Sequence, residues 1–409
     1  MDYCLALLMK ILHLCDSLNP DGLGGYESYL HYLSEHLVNR GDISIVVTQP
    51  PKQDSPDYID HQYYRIHYLS GNYLEARKWE LFALPEDERD DAASKMFKEN
   101  DLDLNIGILE KQLTEFIHEF KPDIIHAHST YVVFNRVLSK LQENGTLDDI
   151  PMIAMIHGRP KSLILPGGEE TTDFESFTDA CPFDLILAVS NNVASVLDEH
   201  LSRKEITVPI LPLYLGIDLS IFKPMPDVEK KWDIAFLGRL ESMKAVDLFP
   251  EMLALLKEDY PHLKMVITGE GSLKDKLLID FESAGVSHMV DYLGVIETTA
   301  VPKLINQSRI FIYPSREEPF GLSIVEAMAC EVPVVTTNVF GPSEIITQNV
   351  DGLAVNPDDV NALAKAIHTL LDDEHLRIMM GAEGRTTTEK RFDINQHLEN
   401  LVSIYQVLI

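Results

Sequence analysis

The segment Ser315-Arg316-Glu317-Glu318-Pro319-Phe320-Gly321-Leu322-Ser323-Ile324-Val325-Glu326-Ala327-Met328-Ala329 holds the residues best arranged to do chemistry. An apolar, strand-like run from Ile310 to Tyr313 precedes it, and an apolar stretch with helical spacing follows Gly321. A helix opening at Phe320, Gly321 and Leu322 would turn its free N–H groups and its dipole toward a phosphate. Glu318 stands before that turn, where its carboxylate can accept hydrogen bonds from sugar hydroxyls. Glu326 lies further along the helix, where ribose hydroxyls are a suitable partner. Taken alone, Glu326 can equally be a hydrogen-bonded structural acid and Glu318 a helix-start residue.

Other candidates lie at the ends of strand-like runs. Gly22-Leu23-Gly24-Gly25 follows the first of them, and its backbone can approach a phosphate closely. A plain tight turn explains it as well, and Glu27 can orient that loop or simply start a helix. The Gly-x-Gly-x-x-Gly dinucleotide fingerprint is not met. His126 and His128 lie two apart on one run, so their side chains face the same way. The sequence offers that pair no good third metal ligand. One histidine at a strand end suits substrate contact, and His157 ends another run; a structural hydrogen bond is the alternative for each. Gly238-Arg239-Leu240 leaves the first strand of the C-terminal half, with Lys244 five residues after Arg239. Two cations there fit a diphosphate whose charge grows as a bond breaks, a surface salt bridge being the alternative. Gly269-Glu270-Gly271 is a permissive turn near the same strand ends.

The elements that must position these residues alternate. In the N-terminal half, strand-like runs fall at Ile11–Leu14, Ile43–Val47, Asp123–His126, Met152–Ile156 and Leu185–Val189, with helical runs at Tyr29–Val38 and Ile106–Phe120. A second series starts at Asp233. It has runs at Ile234–Leu237, Met265–Thr268, Val290–Leu293, Ile310–Tyr313 and Pro333–Thr336, with helices at Phe249–Glu258, Lys274–Ser283 and near Pro302. This pattern predicts α/β architecture with mostly parallel sheets. The expected division is an N-terminal domain over 1–217, a hinge over 218–231, a C-terminal domain over 232–392, and a last amphipathic helix over 393–409 returning to the first domain. The charged stretch 75–103 reads as solvated helices or an insertion.

Length and charge narrow the classes. The 409 residues suit two domains. The 65 acidic against 34 basic side chains give a formal charge of −31, which disfavours nucleic acid and anionic lipid over the general surface. The four cysteines are widely spaced and show no zinc pattern, which suits reduced cytosolic thiols. The apolar N-terminus lacks a basic region before its apolar run and contains Lys10, so it reads as a first strand rather than a signal peptide. No run of 18 apolar residues suggests a transmembrane helix. A cytoplasmic location follows as the expectation.

In this order and spacing the chain resembles the retaining, GT-B-fold glycosyltransferases of family 4 (glycosyl transferases group 1), over nearly its whole length. The Glu–seven residues–Glu signature corresponds to Glu318 and Glu326, the glycine-rich loop to Gly24-Gly25 with Glu27, and the His-x-His strand end to His126 and His128. The Gly-Arg-Leu…Lys element corresponds to Arg239 and Lys244, and the downstream elements to Pro333–Thr337 and Gly341–Ile346. The chain departs from the common pattern at Ala245, where glycine is usual, at Leu215 before Gly216, where asparagine is usual, and at Phe340 before Gly341.

The resemblance implies two Rossmann-like domains facing a cleft, a nucleotide-diphosphate sugar as donor, and no cofactor or metal. A UDP-sugar is favoured, with GDP- or ADP-sugar as alternatives. It implies that Arg239 and Lys244 hold the diphosphate, that Gly25 approaches it, and that the base lies near Leu293-Gly294. Glu318 and His128 would meet the transferred sugar and Glu326 the ribose, with Glu27 and His157 as acceptor or sugar contacts. The acceptor would be a small molecule, a glycan or, less favoured, a lipid, and the enzyme a monomer or homodimer with no nucleic acid and at most weak peripheral membrane contact. Two other readings fit the residues less well: a nucleotide-sugar epimerase or hydrolase of the same fold, and a silent nucleotide-sugar-binding protein.

Overall fold

The strands of this chain are short apolar runs that alternate with amphipathic helices, and parallel sheets are the outcome. β5 (Ile124–His128) and β6 (Met152–Ile156) are buried at every position. Strands covered on both faces need such continuous burial. The helix Leu102–Phe120 buries Ile106, Leu109, Leu113 and Ile117, a single stripe at helical spacing. Ser190 caps the helix Asn191–Arg203 by accepting from the Val193 N–H at 3.2 Å. Thr172 and Glu175 form a reciprocal capping box on Asp173–Asp179.

A computed structural model describes residues 8–18, 25–50, 55–61, 64–69, 102–130, 132–164 and 170–409, with a few isolated positions between 84 and 95. Gly24 and most of the charged stretch 75–103 lie outside the described residues. Contacts divide the chain into two units, one of Met1–Leu213 with Leu398–Ile409, the other of Tyr214–His397.

The first unit carries an eight-stranded sheet. Its remaining strands are β1 (Lys10–Ser17), β2 (Ile43–Gln49), β3 (Tyr58–Asp60), β4 (Arg65–Tyr68), β9 (Leu185–Ala188) and β10 (Ile210–Pro212), in the order β10-β9-β6-β5-β1-β2-β4-β3. All neighbours are parallel except the β3–β4 pair. β7 (Ser162–Ile164) and β8 (Glu170–Thr172) form a separate antiparallel pair. The last helix, Ile394–Leu408, places Tyr405 in this unit's core, fully buried.

The second unit is a six-stranded, wholly parallel sheet. Its strands are β11 (Trp232–Leu237), β12 (Met265–Thr268), β13 (Val290–Gly294), β14 (Ser308–Tyr313), β15 (Val334–Thr337) and β16 (Gly352–Val355), in the order β13-β12-β11-β14-β15-β16. In both sheets the chain lays its first strand, then strands to one side, then returns to the other. The reversal falls between β1 and β5 in the first unit and between β11 and β14 in the second. Ligands of open α/β sheets bind at the carboxyl ends of strands flanking such a reversal. These are the strand ends after which Gly25, Arg239, Lys244 and Glu318 follow and at which His128 lies.

Candidate active site

In the second unit the β11 and β14 exits bring Lys244 and Glu318 together. After β11 the chain makes two short 3-10 turns, Ser242–Lys244 and Val246–Leu248, joined by Ala245 at φ 53°. The left-handed region favours glycine, the residue expected at this point by resemblance. Alanine holds the same bend here with its methyl fully buried. The bend drives Lys244 inward, where it is only 7% exposed. Its Nζ donates to the Tyr313 hydroxyl at 2.8 Å and forms a short ion pair with the Glu318 carboxylate. Burial opposes the charge of Lys244, but Glu318 and then Tyr313 outweigh it and hold the ammonium above the usual lysine range. Burial pushes the Tyr313 phenol up to about 12, with the Glu318 charge adding to it.

Arg316 fixes the two loops against each other. Its guanidinium donates to both Asp247 carboxylate oxygens at 2.8 Å, to Asp358 at 2.7 Å and to the Ser242 carbonyl at 2.6 Å. Its backbone N–H reaches the Met243 carbonyl at 2.9 Å. The Lys244 loop is thus tied to the Glu318 loop by side chain and main chain together. Tyr313 and Arg316 were not among the sequence candidates. Their signal was adjacency, one closing β14 and the other two residues before Glu318.

The helix expected after Gly321 runs from Leu322 to Ala329, with Gly321 at φ 113° as its N-cap. Phe320 is 3% exposed and its ring packs on Tyr214 and Phe392, at 6.1 and 5.7 Å between centroids. Its side chain is therefore committed to the core, and only its backbone is available to a ligand. Glu326 lies in the second turn of the helix, partly exposed, and desolvation raises its carboxyl to about 7. An acid raised in the folded state favours folding while protonated and loses that advantage as pH climbs from its ordinary 4.5 through about 7. Glu326→Gln is therefore expected to match wild type in stability below pH 4.5 and to exceed it above pH 7, by about 3 kcal/mol at 1.36 kcal/mol per pKa unit. Urea unfolding across that range is the measurement.

Arg239 is exposed on the β11 exit, with one guanidinium nitrogen 3.5 Å from the Met243 sulfur. The structure therefore separates the two expected diphosphate cations by environment, one buried and paired, the other at the surface. Gly269 sits at φ 123° after β12, and its N–H donates to the Gly294 carbonyl at 2.8 Å. A Cβ there would stand 1.9 Å from the Gly238 carbonyl oxygen, so β11 and β12 exits meet only because the residue is glycine. Leu293 is 46% exposed beside this turn. Gly269→Ala is expected to lower stability by about 2–4 kcal/mol and to weaken nucleotide binding, both read by a urea titration with and without nucleotide.

In the first unit, Gly25 opens the helix Gly25–Asn39 and Glu27 lies in its first turn; the Glu27 side chain is outside what is described. His126 and His128 are buried, with ring centroids 3.9 Å apart and planes tilted by 34°. His157 is half-buried at the β6 exit, its ring 5.9 Å from that of His128. The sequence offered no third imidazole for the histidine pair, yet β1 supplies one. His13 pairs in register with His126, and its Nδ1 lies 3.1 Å from His128 Nε2. One nitrogen from each of these three rings lies within 4.8 Å of the others. Tyr405 bounds the cluster, its hydroxyl 2.6 Å from His126 Nδ1. His13 escaped notice because a lone histidine in an apolar strand has no partner in sequence.

Two family models match the chain: Glycosyltransferase Family 4 over residues 23–220 and Glycosyl transferases group 1 over residues 220–387. The glycogen synthase of Mycobacterium tuberculosis is 25% identical over 380 residues, covering 89% of this chain and 86% of its own. A sucrose-phosphate synthase from Thermosynechococcus elongatus superposes with a TM-score of 0.78 at 19% identity, covering 98% of this chain and 99% of its own. Anabaena HepE in complex with UDP-glucose superposes at 0.69 and 18%, covering 98% and 100%. The chain belongs to the GT-B-fold glycosyltransferases related to these two families. It transfers a sugar from a nucleotide-diphosphate sugar to an acceptor hydroxyl. Among the described residues no helix is long and apolar enough to cross a membrane.

Proposed function

We propose that the enzyme is a retaining transferase of a hexosyl or N-acetylhexosaminyl group, with a UDP-sugar as donor and a small-molecule or glycan hydroxyl as acceptor. The observation that carries this reading is the buried Lys244–Glu318–Tyr313 cluster at the β11 and β14 exits, beside the helix that Gly321 caps. Lys244 and the exposed Arg239 meet the diphosphate, assisted by the backbone of Phe320, Gly321 and Leu322 at the helix start. Glu318 accepts hydrogen bonds from the transferred sugar and Glu326 from the ribose. Gly269 and Leu293 border the base. In the first unit, Gly25 approaches the donor phosphate, His128 contacts the sugar, and Glu27 and His157 serve sugar or acceptor.

The bond from the anomeric carbon to the diphosphate breaks, leaving the sugar oxocarbenium-like and the diphosphate with an extra charge. Fixed cations and N–H groups stabilise that charge without reorganising during the reaction. The acceptor oxygen bonds the anomeric carbon on the face the diphosphate leaves, and its proton passes to a diphosphate oxygen. Glu318 is held by Lys244 and serves as a binding group rather than a nucleophile.

The uridine preference is supported by HepE, which has the same fold and is known in complex with UDP and UDP-glucose. Thermal unfolding with UDP, GDP or ADP tests it. UDP is expected to raise the midpoint most, and a larger rise with GDP or ADP would reassign the base.

A further inference from the structure

Lys244 stands on a bend that its own sequence does not favour. Ala245, the next residue, is fully buried and lies in the left-handed region at φ 53°. Side chains other than glycine's rarely occupy that region, and one that does persists only where its surroundings over-determine it. Arg316 supplies such a constraint from the β14 exit, and it grips the bend on both sides of Lys244. Before Lys244, its guanidinium donates to the Ser242 carbonyl at 2.6 Å and its backbone N–H to the Met243 carbonyl at 2.9 Å. After Lys244, two guanidinium nitrogens donate to the two Asp247 carboxylate oxygens at 2.8 Å. Its Nε donates to Asp358 at 2.7 Å, beyond the end of β16, so the grip is anchored outside the two loops it joins. Burial opposes the charge of Asp247, but the Arg316 bonds prevail and hold its carboxyl below the usual range. The Arg316 charge is matched by two carboxylates, which leaves Lys244 and Arg239 as the cations for a diphosphate.

The geometry points to Arg316 as a positioning residue for the transfer: it braces the Ala245 bend and thereby sets the Lys244 ammonium against Glu318 and the donor diphosphate. The inference rests on the proposed role of Lys244 at that diphosphate. A fixed cation lowers the barrier only where charge develops, and a displacement of about 1 Å can cost about 10²-fold in rate. Without the brace the bend relaxes, and the loss falls on the chemical step more than on donor binding.

Two measurements on the full chain test this. The first is amide hydrogen exchange over 242–248, which needs no substrate. Arg316→Leu is expected to speed exchange at Lys244, Ala245 and Leu248, whose N–H groups bond carbonyls of the same bend, by about tenfold or more. Amides of β11 and β14 are expected to keep their protection. Unchanged exchange over 242–248 overturns the inference. The second is a double-mutant cycle on release of UDP from UDP-glucose and UDP-N-acetylglucosamine, below the unfolding midpoint of every variant. Arg316→Leu should lower kcat by about 10–100-fold and change the donor KM by less than about threefold. Asp247→Asn, a milder change that keeps the Asp358 and Ser242 bonds, should lower kcat by about 3–10-fold, and it carries the test if the leucine variant does not fold. Added to Lys244→Met, Glu318→Gln, either substitution should cost less than about a further twofold, because the groups it positions are gone. Losses that multiply in that background overturn the inference and leave Arg316 a stability residue. Full turnover in Lys244→Met, Glu318→Gln itself would instead remove the diphosphate role of Lys244, and the inference with it.

Discussion

Lys244→Ala is expected to lower turnover by about 10²–10³-fold, the usual loss when one stabiliser of developing charge is removed. It should also destabilise the second unit by about 3–5 kcal/mol, because it leaves the Glu318 carboxylate buried without its partner. The two losses have different origins and can be separated. In the double variant Lys244→Met, Glu318→Gln no charge is buried, so stability should recover most of the difference while turnover stays low. Lys244→Arg is expected to restore little, since a planar guanidinium does not fit a site built around a point charge and a phenol. Urea unfolding and steady-state rates on the same preparations give both readouts. Full stability with full turnover in Lys244→Ala would remove this residue from the account.

Glu318→Gln is the second large effect, and its size depends on pH. In wild type the carboxylate holds the Lys244 ammonium above its ordinary range, so the pair is charged throughout the neutral region. The folded-state pKa is raised, so the stability it confers is fully present below the ordinary lysine value of 10.5 and is lost only as pH rises through the higher folded value. With a neutral amide in place of Glu318, burial is left as the dominant influence and drives the Lys244 pKa down. The variant should therefore lose donor binding as pH rises across the neutral range, where wild type does not. Donor diphosphate should recharge the lysine, so binding by Glu318→Gln should take up a proton. Calorimetry in two buffers of different ionisation enthalpy measures that uptake. Turnover should fall by about 10²-fold or more at pH 8 and by less at pH 6. A pH-independent loss would mean that the lysine keeps its charge without Glu318.

The opening segment shows what was legible in the sequence. An apolar run, a loop acid, a glycine and a helical apolar pattern mark β14, the turn and the helix Leu322–Ala329. The alternation of short apolar runs gave parallel sheets for the same reason. Strands at sheet edges were harder. β10 is Ile-Leu-Pro, and a proline inside so short a run argues against a strand unless it lies at an edge, where β10 does lie. β16 begins on Gly352 and is also an edge strand. The candidate residues were legible as a set but not as pairs. Glu318 and Lys244 are 74 positions apart, and nothing in the sequence says that they neutralise each other. Arg316 adjoins Glu317 and Glu318 in sequence, and nothing there says that it makes four side-chain hydrogen bonds, three to Ser242 and Asp247 and one to Asp358. His13 became visible only when β1 was laid against β5.

These pairings bear on the two glutamates. Neither is placed as a free catalytic acid or base: Glu318 is tied to Lys244, and Glu326 is a desolvated carboxyl within a helix. In the proposed function their work is to hold the donor while the diphosphate bond breaks.

The central claim is transfer from a nucleotide-diphosphate sugar held by the Lys244–Glu318 cluster. Mass-spectrometric screening of nucleotide-sugars for nucleotide release, run with and without candidate hydroxyl acceptors, tests it most directly. Slow release on donor alone, acceleration by an acceptor that gains the mass of one sugar, and loss of both in Lys244→Ala are the predicted results. Efficient epimerisation of the donor without acceptor, or saturable donor binding with no release on any acceptor, would contradict it.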